Sequence, residues 1–250
     1  MAPPKQERAV QTRQQLLRAA AEVFDEYGYA GAGINKILQR AGVTAGALYF
    51  HFKNKQDLAV EVMNAQRHTI EPHVPSTGLQ RLVDITLIWS HSLQADPLLR
   101  AGVRLTGEQA SFGLHDPTPY TAWARSFETC LEVARADGEL RDHVRLDELA
   151  EFVVGACTGM QEYAQVVSER ADLPRRTVNM WRVMLPGIAT AEALRGIEAS
   201  EERAATLWTE VTAHRGEAGS EGGPTEGDRT EQRTGSPTDT SPQRGTKETT

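Results

Sequence analysis

The segment GVTAGALYFHFKNKQDL, residues 42–58, concentrates side chains that could bind a polyanion. Tyr49, His51, Lys53 and Lys55 supply a phenol, an imidazole and two ammonium groups, which can donate hydrogen bonds to phosphate oxygens. Small residues precede them, and a helix that begins with small residues can bring its backbone close to another surface. These residue types predict contact with a nucleic-acid backbone, although an aromatic block and two lysines also fit core packing and a solvated surface.

Helical periodicity places this segment in a helix-turn-helix unit. A first helix is predicted from apolar residues spaced i, i+4, i+7, i+8 and i+11: Leu16, Ala20, Val23, Phe24 and Tyr27. Gly28 ends it, and a short second helix is predicted from the same periodicity: Ile34, Ile37, Leu38 and Ala41. Gly42 then suits a left-handed turn, and Thr44 can cap a third helix by accepting backbone N–H bonds.

The third helix is expected to turn one face inward and one outward. Leu48 and Phe52, at i and i+4, should face the core. The outward positions are then Ala45, Gly46, Tyr49 and part of His51.

A fourth, long helix is predicted from about Lys55 to Glu71. Asn54 can cap it, with Asp57 in a capping-box position. Lys55 lies at the first helical position, where the helix dipole disfavours a cation, and a bound phosphate would reverse that cost.

Charge and composition separate an N-terminal head from the rest of the chain. Residues 1–60 hold eight Lys or Arg and five Asp or Glu, whereas the whole chain of 250 residues carries a formal net charge of -7. This asymmetry favours a polyanion partner for the head alone. Cys130 and Cys157 show no metal-ligand spacing and are expected to be buried free thiols. No apolar run is long enough for a membrane span, so a cytoplasmic protein is expected.

The remaining sequence predicts further helices and no strands. The fold class is therefore all-α, with roughly nine or ten helices. Three regions are expected: a helix-turn-helix head at residues 1–54, a helical ligand-binding and dimerisation domain at 55–213, and a disordered tail at 214–250. The tail prediction depends on a composition of Gly, Pro, Ser, Thr and charged residues, which cannot bury enough apolar surface to order itself.

The sequence motifs do not indicate an enzyme active site or a metal site. The stretch GAGINK begins like a dinucleotide fingerprint, but no strand is predicted before it and the third glycine is missing. His68 and His73 are separated by Pro72 and cannot share a helix face as metal ligands. We therefore expect no catalytic residue, no metal site and no cofactor.

The stretch from Gly28 to Leu58 resembles the DNA-binding head of the TetR (tetracycline-repressor-like) transcriptional regulators, through the pattern AGVT-x-GALYFHF-x-x-K-x-x-LA. The segments LLRAGVRLTGEQ, PYTAWARSF and NMWRVMLPGI resemble the γ-butyrolactone receptor branch of that family, the autoregulator receptors of streptomycetes. Two positions depart from the pattern. Ala45 stands where this branch often has a lysine, and Gly33 stands where such heads usually start their second helix with Thr or Ser.

The resemblance implies roles for individual residues. The third helix would enter the major groove of DNA, and the implied DNA-binding residues are Thr44, Ala45, Gly46, Tyr49, His51, Lys53 and Lys55. In the body, Trp123 would cover the ring of a ligand and Thr158 would donate a hydrogen bond to a ligand oxygen. Gln66, on the fourth helix, would report ligand occupancy to the head. Without the resemblance, core packing accounts for Trp123, a hydrogen bond to the preceding helical turn accounts for Thr158, and simple surface exposure accounts for Gln66.

The function implied is that of a homodimeric repressor on a pseudo-palindromic operator. A small diffusible lactone or butenolide autoregulator would release it and so control antibiotic or other secondary-metabolite genes. Two alternatives keep the fold: a repressor of an efflux or catabolic gene that responds to a drug or metabolite, and a pseudo-receptor that responds to antibiotics.

Overall fold

The computed structural model of the chain describes residues 5–65 and 74–220. The described residues form eleven helices and a 3-10 turn, Gln109–Phe112, after the sixth helix. The helices are α1 (Lys5–Gly31), α2 (Ile34–Ala41), α3 (Ala45–His51), α4 (Lys55–Ala65), α5 (Gly78–Ala95), α6 (Pro97–Glu108), α7 (Thr118–Ala136), α8 (Leu146–Ser168), α9 (Leu173–Ile188), α10 (Ala193–Gly196) and α11 (Glu201–Ser220). The predicted all-α fold is confirmed.

Local signals in the head act as the sequence predicts. Gly42 has φ 65° and closes α2, and the Thr44 hydroxyl accepts a hydrogen bond from the Ala47 N–H at 3.3 Å. The Asn54 side chain accepts from the Asp57 N–H at 2.8 Å, while the Asp57 carboxylate accepts from the Lys53 N–H at 3.0 Å. These reciprocal bonds satisfy backbone donors that the start of α4 would otherwise leave unpaired.

Two apolar clusters divide the described residues. The head cluster joins α1 to α4, and α4 contributes Leu58, Ala59, Val62 and Met63 to it. Ala101 and Leu105 of α6 belong to the same cluster and are fully buried. Helix α4, which the sequence placed at the start of the body, therefore packs with the head, and α6 supplies one wall of the head core.

The body cluster surrounds α5, which is buried along most of its length because other helices cover every side of it. Trp181 of α9 is fully buried and donates its indole N–H to the Thr86 hydroxyl at 2.7 Å. Cys130 and Cys157 are both buried, as expected. No helix within the described residues has both the length and the apolar character needed to cross a membrane.

Helix α11 is fixed to the body by a buried carboxylate. Asp84 of α5 is fully buried and accepts hydrogen bonds from Nε and Nη2 of Arg203, each at 2.7 Å. Ser76 and Gln80 donate to the same carboxylate at 2.6 and 2.7 Å. Helix α11 continues to Ser220, past the predicted start of the tail at residue 214. The rest of that tail, 221–250, lies outside the described residues.

Candidate functional site

Helix α3 presents an exposed face of small and aromatic residues. Ala45, Gly46 and Tyr49 are exposed, and Thr44 at the helix start is exposed as well. Leu48 and Phe52 are buried in the head core and fix the rotation of the helix. These orientations agree with the sequence prediction, so the face is free to approach a flat or grooved surface.

Phe50 is the most exposed aromatic residue of α3, and the sequence analysis did not select it. Its side chain is 78% exposed and its ring meets that of His51 edge-on, with the centroids 4.9 Å apart. The helical period of the sequence is enough to predict that Phe50 points outward. Because each residue turns the helix by about 100°, position 50 lies opposite the inward direction that Leu48 and Phe52 share.

The two lysines that follow α3 differ in environment. Lys53 is exposed. The Lys55 ammonium instead lies 4.3 Å from the centroid of the Tyr29 ring, and partial burial lowers the pKa of Lys55. A phosphate group would therefore meet Lys53 as a freely hydrated cation and Lys55 as a cation already held in place by an aromatic ring.

Two arginines of the head already form ion pairs. Arg13 forms an ion pair with Glu61 at 2.6 Å, and Arg40 bridges Glu22 and Glu26 at 2.9 and 3.0 Å. These arginines add less to the positive field of the head than their number suggests, since nearby carboxylates compensate them.

The body contains a cavity of about 740 Å³ beside the head. Four helices of the body, α5 to α8, form most of its wall, and Asp25 of α1 reaches it from the head. Trp89, Trp123 and Phe127 supply aromatic surface, with the rings of the last two 5.6 Å apart. Trp123 is nearly buried. The size and aromatic lining suit a small molecule with a sizeable apolar part.

Thr158 lines the cavity, but its hydroxyl already donates to the Val154 carbonyl at 2.8 Å. In this arrangement its free lone pairs make it an acceptor toward a ligand, not the donor expected from sequence. Cys157 beside it is buried, and desolvation raises the pKa of its thiol to about 12. The thiol therefore stays neutral and contributes apolar surface.

Charged side chains line the side of the cavity nearest the head. Arg104 and Glu108 of α6 pair with each other at 2.8 Å, and both belong to the cavity lining. Arg170, half-buried after α8, donates from Nε and Nη2 to the Gln161 side-chain oxygen at 3.2 and 3.0 Å. Burial lowers the pKa of the Arg170 guanidinium. This side can therefore donate hydrogen bonds to ligand oxygens.

Arg104, Glu108 and Arg170 were not among the residues predicted from the sequence. An Arg and a Glu four residues apart on a helix normally indicate a solvent-exposed pair, so nothing local distinguishes them. Gln66, the residue predicted to report occupancy, lies outside the described residues, as does the predicted extension of α4 toward Glu71.

A stripe of exposed residues runs along α8 and α9. On α8 it comprises Phe152, Gly155, Gly159, Tyr163 and Val166, spaced three or four residues apart. Val166 is 86% exposed, and Val183 on α9 is 81% exposed. An apolar stripe of this kind on two neighbouring helices indicates a protein contact surface.

Comparison with protein families gives two matches that together cover most of the chain. Residues 16–62 match bacterial regulatory proteins of the tetR family, and residues 76–190 match the tetracyclin repressor-like C-terminal domain. The first match spans the helix-turn-helix head, and the second spans the helices that line the cavity.

Individual proteins are similar over long stretches. The A-factor receptor protein of Streptomyces griseus is 40% identical over 185 residues, which are 74% of this chain and 66% of that protein. The structure of TylP, a TetR regulator from Streptomyces fradiae, superposes with a TM-score of 0.76 at 38% identity, covering 85% of this chain and 94% of that one. An ArpA-like γ-butyrolactone receptor superposes with a TM-score of 0.58 at 26% identity, covering 83% and 98%.

Proposed function

The chain belongs to the TetR family of bacterial regulatory proteins, and from this premise we propose that it is a repressor released from its operator by a small autoregulator of the γ-butyrolactone or butenolide type. Regulators of this family bind operator DNA, dimerise and bind small-molecule effectors. The genes proposed as targets are those of antibiotic or other secondary metabolism. The similarity to an A-factor receptor and to a γ-butyrolactone receptor supports this effector class.

The position of α6 carries the proposal. One face of α6 places Ala101 and Leu105 in the head core, while Val103 and Arg104 line the cavity. A ligand in the cavity therefore contacts a helix that is also part of the DNA-binding head. Ligand occupancy and head position are coupled through a single rigid element.

The chemistry of the cavity fits a lactone with an alkyl chain. Trp123 and Phe127 would cover apolar carbons, and burial of such surface contributes about 25 cal/mol per Å². Carbonyl and ring oxygens accept hydrogen bonds, for which Arg170 offers donors, while a ligand hydroxyl could donate to Thr158.

On the DNA side, we propose that the exposed face of α3 enters the major groove and that Lys53 and Lys55 contact phosphates. The residues on this face that would meet the DNA are Thr44, Ala45, Gly46, Tyr49 and Phe50. His51 lies at the edge of the face. Base contacts from one short helix read few base pairs, so two copies on half-sites about 34–36 Å apart are required.

We expect Lys53→Ala to weaken binding to all duplexes alike and to flatten the slope of log K against log salt by about 0.9, because one phosphate contact is lost. Titrations of fluorescent operator duplex at several salt concentrations measure this slope. Arg40→Gln is the matched control: its guanidinium already bridges two carboxylates, so its slope should match that of the wild type. An unchanged slope in Lys53→Ala would remove Lys53 from the phosphate contacts.

We propose that the stripe on α8 and α9 is the dimer interface. Val166→Glu would place an unpaired charge in that interface, where its burial is costly. We therefore expect the variant to be monomeric at micromolar concentration and its operator affinity to be reduced by about tenfold or more. Sedimentation velocity reports the oligomeric state. Val133→Glu, an equally drastic change at a partly exposed valine of α7, should remain dimeric. A dimeric Val166→Glu protein would place the interface elsewhere.

The function is tested by mobility shifts on the DNA upstream of the protein's own coding sequence, with and without ligand. Binding that weakens with salt and is abolished by a synthetic γ-butyrolactone is the expected result. Release by hydrophobic drugs or antibiotics but not by lactones would favour an efflux regulator or a pseudo-receptor. Absence of DNA binding at low salt would refute the repressor function.

A further inference from the structure

A break in helix α1 lies directly against the cavity wall. Gly28 has φ 66° and ψ 178°, which interrupts the helix between Asp25 and Tyr29. In an unbroken helix the Tyr29 N–H would donate to the Asp25 carbonyl, four residues earlier. Here each of these two backbone groups bonds to a side chain of α6 instead.

The two side chains are Arg104 and Glu108. Arg104 Nη1 donates to the Asp25 carbonyl at 2.6 Å, and the Tyr29 N–H donates to Glu108 Oε2 at 2.9 Å. The two side chains bond to each other at 2.8 Å, so the ion pair occupies the gap that the break opens. A Cβ at Gly28 would lie 2.7 Å from Arg104 Nη2, which shows how closely the pair is seated.

Tyr29 continues this connection toward the proposed phosphate contacts. Its ring stacks on Phe112 of the 3-10 turn that follows α6, with the ring centroids 3.9 Å apart. The Lys55 ammonium lies 4.3 Å from the centroid of the same Tyr29 ring. The position of Tyr29 therefore determines where Lys55, at the start of α4, is held.

We propose that Arg104 and Glu108 are the positioning residues that transmit cavity occupancy to the DNA-binding head, by bridging the break in α1 and so holding Tyr29 beneath Lys55. This inference rests on the proposed repressor function and assigns it a path through α1 and α6. Both side chains line the cavity. A ligand oxygen that draws the Arg104 guanidinium away, or a ligand that shifts α6, breaks both bonds to α1. Tyr29 and Lys55 then lose their fixed positions, and the head is no longer aligned with the DNA.

The test separates ligand binding from DNA release in the full-length protein. The probes are a synthetic γ-butyrolactone with an acyl side chain and a duplex from the protein's own upstream region. Lactone binding is followed by quenching of tryptophan fluorescence, since Trp89 and Trp123 line the cavity. In wild-type protein we expect the lactone to weaken operator binding by about 100-fold, within the usual range of allosteric coupling.

In Arg104→Met and in Glu108→Leu the bridge to α1 is already broken, so we expect operator binding without lactone to be weaker than in wild type by about tenfold or more. Saturating lactone should still quench tryptophan fluorescence but change operator affinity by less than about threefold. Arg100→Gln is the matched control, because Arg100 is also on α6 and pairs with the Asp25 carboxylate at 2.8 Å without lining the cavity. It should keep the wild-type response. Full lactone-induced release in both Arg104→Met and Glu108→Leu would overturn the proposal.

A second measurement needs no variant and so does not depend on their folding. Hydrogen exchange of the peptide containing Tyr29 should accelerate by about tenfold or more when lactone is added to wild-type protein, because the bond to Glu108 opens. Unchanged exchange in a protein that binds lactone and releases DNA would also overturn the proposal. If wild-type protein binds neither lactone nor operator, the proposed function itself has failed, and this outcome is distinct from intact release in the variants.

Discussion

Replacing Arg203 by methionine is expected to lower the free energy of unfolding by about 3 kcal/mol, the low end of the range for breaking a buried ion pair. The Asp84 carboxylate is fully buried, and Arg203 supplies two of its hydrogen bonds together with the compensating charge. Without the guanidinium, the donors that the carboxylate keeps among the described residues are the neutral side chains of Ser76 and Gln80. Because Arg203 belongs to α11 and Asp84 to α5, the loss should also loosen the start of α11, while Leu207 and Val211 stay packed in the body cluster.

Urea denaturation of wild-type and variant protein at one fixed concentration measures this effect, since dimer stability depends on concentration. Arg175→Met is the matched control, because Arg175 is mostly exposed and its contact with Asp172 is 3.3 Å long. Its expected change is below about 0.5 kcal/mol. A second test is Asp84→Asn combined with Arg203→Met, which removes the buried charge along with its partner and should recover part of the loss. A change below about 1 kcal/mol in Arg203→Met alone would mean that water reaches Asp84 in solution.

Trp123→Ala is expected to bind the effector about 30-fold more weakly, which corresponds to about 2 kcal/mol of lost aromatic contact. The indole lines the cavity beside Phe127 and is nearly buried, so its removal opens space that a ligand ring would otherwise contact. Operator binding without ligand should stay within about threefold of wild type, because Trp123 lies in the body cluster and not in the head cluster. The variant should therefore repress and fail to be induced.

Isothermal titration with a synthetic γ-butyrolactone measures the effector affinity, and mobility shifts on operator duplex measure the binding of DNA. Trp208→Ala is the control, since Trp208 is a partly buried tryptophan of α11 outside the cavity lining. It should lose stability but keep its ligand affinity. Normal induction of Trp123→Ala would remove Trp123 from the effector site.

Much of the head could be predicted because its signals are local. A left-handed residue such as Gly42, a capping hydroxyl such as that of Thr44, and the i, i+4 pair Leu48 and Phe52 each act within one or two helical turns. Phe50 could have been identified by the same rule, since its outward direction follows from the helical period alone.

Helical periodicity in the body was ambiguous between core and interface. Trp181, Leu185, Leu149 and Phe152 all lie on apolar faces in the sequence, yet the first three are buried within the chain and Phe152 is exposed. Each face has the same local pattern. Only the packing of α8 and α9 against α5 and α7 shows which side of these two helices remains exposed.

The amino-acid sequence by itself determined the all-α class, the helix-turn-helix head, its caps and the outward direction of the exposed face of α3, because these depend on interactions between residues a few positions apart. The tertiary structure alone decided that Lys55 rests on Tyr29, that Arg104 and Glu108 bridge the break at Gly28, and that α6 joins the head core to the cavity. These contacts join residues tens of positions apart, and their formation depends on how whole helices pack. An Arg and a Glu four residues apart look the same in sequence whether they face water or another helix.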